Sequence, residues 1–158
     1  MTLPRLAVTL GDPRGIGPEI VRAALAAPGV AGAAQCIVVG PTGAGVAVEE
    51  SVGEWHGRPG VSSPEMAALA GALAGKAIER AVELVRLGAV DGIVTAPIDK
   101  AALAAAGYTD PGHTEMLERL TGHPTAMMLA SDRLRVILAT THIALREVPQ
   151  ALTQAVIV

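Results

Sequence analysis

Leu6-Ala7-Val8-Thr9-Leu10-Gly11-Asp12-Pro13-Arg14-Gly15-Ile16-Gly17-Pro18-Glu19-Ile20-Val21 decides the fold class. Residues 6–10 form a short apolar run broken by Thr9 and closed by Gly11, the pattern of a buried strand that enters a turn. Pro18 suits the first turn of a helix, where its missing N–H would have no partner, and Ile20, Val21, Ala24 and Leu25 supply an apolar face. That helix is expected to stop near Pro28-Gly29, and residues 36–39 (Cys36-Ile37-Val38-Val39) give a second strand. Strand, glycine-rich turn, helix and strand in succession predict an α/β protein with a parallel sheet.

The alternation continues downstream. Residues 41–64 carry scattered glycine and proline and read mainly as loop. From residue 64 to about 87, Ala70, Leu73, Ala77, Ala81, Leu84 and Val85 keep one face apolar while Lys76, Glu79, Arg80, Glu83 and Arg86 occupy the others, which predicts a long helix stopped by Gly88. Ile93-Val94 is a third strand, followed by Thr95-Ala96-Pro97-Ile98-Asp99-Lys100 and an alanine-rich helix to Ala106. Residues 125–129 and 134–139 flank Ser131-Asp132-Arg133 as a hairpin, so the sheet is expected to be mixed, though largely parallel, with helices flanking it. Residues 148–158 have helical spacing and end on Val156-Ile157-Val158 without a cap or polar tail, an end that reads as truncation.

Composition narrows the function classes. The hydrophobic fraction is 51% but aromatics are 1%, so the core must be built from small aliphatic side chains. A net charge of -3 offers no basic footprint for nucleic acid. No apolar stretch reaches the ~18 residues of a membrane span, and the N-terminus lacks the pattern of a signal peptide. The lone Cys36 excludes an internal disulfide, favours a reduced, cytoplasmic setting and reads as a small core residue.

Four motifs carry chemistry. The glycine-rich turn Gly11–Glu19 presents N–H groups to an anion or simply packs backbone closely; its spacing is neither the dinucleotide fingerprint nor the P-loop, and Glu19 opposes a phosphate there. Lys100 follows a strand end, where open α/β sheets collect ligands, and reads either as the partner of a phosphate or carboxylate or as a solvated lysine beside Asp99. Gly112-His113-Thr114-Glu115 sets an imidazole and a hydroxyl at a helix start, with Met116, Leu117 and Leu120 at helical spacing behind them. Thr140-Thr141-His142 ends the second hairpin strand with a histidine able to ligate a metal, although a catalytic site ordinarily needs three protein ligands. His56 and His123 read as solvated or structural, and Met127-Met128 as core.

Taken in order, the glycine-rich turn, the Thr95–Lys100 string, Pro111-Gly112-His113-Thr114-Glu115 and the strand ending in Thr140-Thr141-His142 resemble the motifs of the 4-hydroxythreonine-4-phosphate dehydrogenase family of pyridoxal phosphate (vitamin B6) biosynthesis. The resemblance implies an isocitrate/isopropylmalate dehydrogenase-like α/β architecture, a cytoplasmic homodimer and no nucleic-acid or membrane partner. It implies that the chain, residues 1–158, is a single incomplete α/β unit, the N-terminal part of a longer fold. It further implies a small phosphorylated amino-acid substrate, 4-phosphohydroxy-L-threonine, held by His113 and Thr114 with Lys100 nearby. His142 would be one of three histidines on a divalent metal (zinc, magnesium or cobalt), and hydride would pass to NAD or NADP before the keto acid is decarboxylated. It assigns no residue to the catalytic step. Arg14 stands where the family usually has a small residue, and Asp99 where Asn is common. Two alternatives stay open: a relative acting on four-carbon sugar-acid phosphates or a terephthalate cis-dihydrodiol, and a non-catalytic ligand-binding or dimerisation remnant.

Overall fold

The computed structural model describes residues 2–57, 63–141 and 143–157. Strand β1 (Arg5–Thr9), helix α1 (Gly17–Leu25), the short α2 (Pro28–Ala31), β2 (Gln35–Thr42), β3 (Glu50–Glu54), the long α3 (Pro64–Arg86), β4 (Gly92–Thr95), α4 (Lys100–Ala105) and α5 (His113–Thr121) follow in order. They belong to one compact unit, Met1–Gly122. Its four strands form one parallel sheet in the order β3-β2-β1-β4. The α/β class read from residues 6–21 is therefore the observed one.

Alternation along β1 divides the core into two layers, because successive side chains leave a strand on opposite faces. Ala7 packs with Val39, Ala77, Ala81, Leu84 and Val90 beneath α3, while Val8 and Leu10 pack with Val21, Val38 and Ala96 beneath α1. Cys36 is half-buried against the second cluster, as its apolar surroundings suggested.

With almost no aromatic residues to fill space, the elements must approach closely. A Cβ on Gly71 of α3 would lie 1.9 Å from the Ala102 carbonyl oxygen, and one on Gly75 would lie 2.1 Å from the Tyr108 ring. The long helix is thus seated backbone to backbone on α4. Ser63 caps it, accepting from the Met66 N–H at 3.3 Å.

One segment departs from its expected form. Residues 41–64 contain β3 and the end of β2, where a loop was expected. Glu50-Ser51-Val52-Gly53-Glu54 offers only Val52 as an apolar contact with the core, so the alternation signal is too short to detect. Pairing with β2 and the Arg80–Glu50 ion pair at 3.0 Å hold it instead.

Residues His123–Val158 make the second unit. The hairpin is present as β5 (Met128–Ala130) and β6 (Arg135–Ile137), paired antiparallel in a two-stranded sheet. Met127 and Met128 are exposed (39% and 51%), which corrects their reading as core: in a two-stranded sheet a side chain has chiefly its cross-strand neighbours for cover. The helix expected from residue 148 is broken into α6 (Val148–Ala151) and α7 (Gln154–Ile157), because Leu152 turns to an extended conformation with ψ 93°, and a 3₁₀ turn (Leu145–Glu147) precedes it.

Candidate substrate site

The sheet order places β1 at a topological switch point. From β1 the chain moves to β2 and β3 on one side, then returns to β4 on the other. The loops leaving β1 and β4 therefore diverge at their carboxyl ends, and a crevice opens between them, where open α/β sheets bind ligands. A cleft of about 290 Å³ lies there, lined by Asp12, Arg14, Gly15 and Ile16 from one loop and Pro97, Ile98 and Asp99 from the other.

The glycines of the first loop serve close packing. Gly11 has φ +66°, and a Cβ on it would lie 2.1 Å from the Pro97 carbonyl oxygen; a Cβ on Gly17 would lie 2.1 Å from the Leu10 carbonyl oxygen. The Asp12 N–H donates to Pro97 O at 3.0 Å. Of the two readings of this motif, close backbone packing is the one the geometry supports.

Across the cleft runs a charged bridge. Arg14 donates from Nε to Asp12 Oδ1 at 3.1 Å and from Nη2 to Asp12 Oδ2 at 2.7 Å, and Nη2 also reaches Asp99 Oδ2 at 2.8 Å. The hydrogen bonds to Asp12 hold the guanidinium more basic than usual. Asp99 Oδ1 accepts from the N–H groups of Ala101 at 2.8 Å and Ala102 at 3.2 Å, capping α4. Those backbone donors, the Ala102 N–H first, hold its carboxyl below the usual range, with Arg14 adding to the effect. Sequence reasoning singled out Arg14 and Asp99 separately; their separation of 85 residues hid the pairing.

Lys100 is exposed at the first position of α4. Its Cε lies 3.9 Å from the point a Cβ on Gly112 would occupy, and Gly112 is the N-cap residue of α5. Lys100 is thereby brought to the motif that holds His113 and Thr114. Gly112 has no side chain to cap α5 and no side-chain cap is made there among the described residues, which leaves first-turn N–H groups at its positive end. The Lys100 side chain adds charge of the same sign there, while Glu115 in the same first turn brings Oε2 within 3.3 Å of the point a Cβ on Gly112 would occupy and opposes it, so an anion at this end depends on Lys100 to offset the carboxylate.

His113 is half-buried and Thr114 exposed at the start of α5. The His113 Nε2 is buried and has no hydrogen-bond partner among the described residues. Burial lowers its pKa from the ordinary 6.5, favouring the neutral imidazole. An unpartnered buried nitrogen costs about 1–3 kcal/mol, which a ligand accepting or donating there would recover.

The loop before α5 is firmly held. Arg119 clasps Asp110, whose side chain is 8% exposed, with Nη2 to Oδ2 at 2.7 Å and Nε to Oδ1 at 3.0 Å. Tyr108 packs over Gly75, and burial, reinforced by Glu79, pushes its pKa up to about 12. Neither contact was anticipated; the pair Asp110 and Arg119, nine residues apart, gave no periodic signal.

His142 lies outside the described residues. Among the described residues there is no group of three His, Cys, Asp or Glu side chains able to hold a metal. No helix among them is long and apolar enough to cross a membrane.

Comparison with known proteins identifies the family. Residues 30–158 match the family described as pyridoxal phosphate biosynthetic protein PdxA. A 4-hydroxythreonine-4-phosphate dehydrogenase of Synechocystis is 39% identical over 97% of this chain and 52% of its own length. A D-threonate 4-phosphate dehydrogenase of Salmonella typhimurium is 39% identical over 98% of this chain and 56% of its own. The crystal structure of a 4-hydroxythreonine-4-phosphate dehydrogenase from Burkholderia phymatum superposes with a TM-score of 0.84 at 32% identity, covering 99% of this chain and 56% of that one. The chain spans about half the length of the curated relatives it matches.

Proposed function

Since the chain belongs to the family of the pyridoxal phosphate biosynthetic protein PdxA, we propose that it is the N-terminal part of a nicotinamide-dependent dehydrogenase that binds a phosphorylated four-carbon hydroxy acid at the start of α5. The observation that carries this reading is the buried, unpartnered Nε2 of His113 at an uncapped helix N-terminus beside Lys100.

In this proposal the Lys100 ammonium and the first-turn N–H groups of α5 hold the phosphate. The neutral His113 imidazole and the Thr114 hydroxyl each give one directional hydrogen bond, which fixes the substrate's orientation and limits its motion. The reaction would be oxidation of a secondary alcohol by NAD or NADP in pyridoxal phosphate biosynthesis, followed by loss of carbon dioxide from the keto acid.

The described residues do not supply a metal set, and the glycines of the β1–α1 turn pack against backbone. His142 is proposed as one ligand of a divalent metal, which would polarise the substrate's hydroxyl when bound. A homodimer in the cytoplasm completes the proposal.

The relatives named for 4-hydroxythreonine 4-phosphate and for D-threonate 4-phosphate are equally similar at 39% identity, which favours keeping D-threonate 4-phosphate as a second substrate. The test is nicotinamide reduction by the purified chain with each phosphorylated acid, NAD or NADP and zinc, magnesium or cobalt. Turnover that is lost in His113→Ala supports the proposal, and the rates with the two acids tell the substrates apart. A folded chain that binds these acids without turning them over would instead be a ligand-binding remnant.

A further inference from the structure

We infer that Arg14 is a positioning residue, a latch across the switch-point cleft that sets where Lys100 stands for the substrate phosphate; this rests on the substrate reading above. Arg14 is anchored within its own loop, since its backbone N–H and its Nε both donate to Asp12 Oδ1, at 2.8 and 3.1 Å. The Asp12 side chain is only 5% exposed, and its backbone N–H is bonded to Pro97 O. The guanidinium therefore projects from a fixed base. Its Nη2 bonds Asp99 Oδ2 at 2.8 Å, and the other oxygen of Asp99 caps α4 through Ala101 and Ala102.

Lys100 is the residue after Asp99, and its Cε lies 3.9 Å from the point a Cβ on Gly112 would occupy. A change in the direction of Asp99 must move the first turn of α4, and with it the Lys100 stem. Arg14 is held on the far side of the cleft by Asp12, so its own charge is already balanced. What it contributes to ligand binding is geometry, transmitted through Asp99 to Lys100.

The test measures the affinity of the full 158-residue chain for 4-phosphohydroxy-L-threonine by titration calorimetry, in wild-type and Lys100→Ala backgrounds. Arg14→Ala is expected to weaken binding about tenfold when Lys100 is present and to change nothing when it is absent. Asp99→Asn, which keeps a capping oxygen but removes the ionic partner, is expected to reproduce the loss and to add nothing to Arg14→Ala. Amide hydrogen exchange at Ala101 and Ala102 is expected to quicken in Arg14→Ala.

Equal losses in both backgrounds, or none in either, overturn the latch. A Lys100 contribution that survives Arg14→Ala and Asp99→Asn intact overturns the latch while leaving the substrate reading standing. Equal affinity of wild type and Lys100→Ala overturns the role of Lys100 in the substrate reading, and the latch falls with it.

Discussion

Gly11 shows how much one residue can decide. Its φ of +66° is a conformation that L side chains rarely adopt, and the Pro97 carbonyl occupies the space a Cβ would need. Gly11→Ala is expected to destabilise the chain by more than about 2 kcal/mol, the left-handed cost plus displacement of the β4–α4 loop, read as a lowered urea midpoint. His113 supplies a second residue-scale expectation. Burial disfavours its imidazolium, so between its lowered pKa and the ordinary 6.5 the folded chain binds fewer protons than the unfolded one. Its contribution to stability is complete above 6.5 and is lost as pH falls through the lowered value. An NMR titration of the ring is expected to give a midpoint below 6.5. His113 and Thr114 stood out in the sequence as residue types; the unpartnered state of Nε2 did not, because it depends on what surrounds the ring.

At the scale of elements, periodic patterns were the readable part. The 3.6-residue spacing of α3 and the apolar runs of β1, β2 and β4 mark themselves, since each must bury a whole face or side. β3 escaped because Val52 alone provides its apolar core contact and its pairing comes from a neighbour far along the chain. Gly71 and Gly75 look like weak points of α3, yet the Ala102 backbone and the Tyr108 ring fill the places their side chains would take. In an open helix Gly→Ala gains roughly 1 kcal/mol. Here Gly71→Ala is expected to destabilise instead, and thermal unfolding of the variant checks the sign. Asp99→Ala is expected to cost about 1 kcal/mol through loss of the α4 cap, with the same measurement.

Across the whole molecule, the sheet order brings together residues that the sequence keeps apart. Lys100 and Gly112 meet because α4 and the loop before α5 fold back on α3, whose glycines admit them. Arg14 and Asp99 meet because β1 and β4 are neighbours in the sheet, although α1, α2, β2, β3 and the long α3 intervene between those strands in the chain. Motif order was enough to show the fold class and to single out His113 and Thr114 at the start of α5; the ionic bridge depended on tertiary pairing. The central claim, that the α5 N-terminus with Lys100 and His113 holds a phosphorylated substrate, is tested most directly by calorimetric titration of 4-phosphohydroxy-L-threonine into the wild-type chain and into His113→Ala, with circular dichroism confirming that both are folded. A dissociation constant raised about tenfold or more in the variant is expected. The same constant in both folded proteins would contradict the claim.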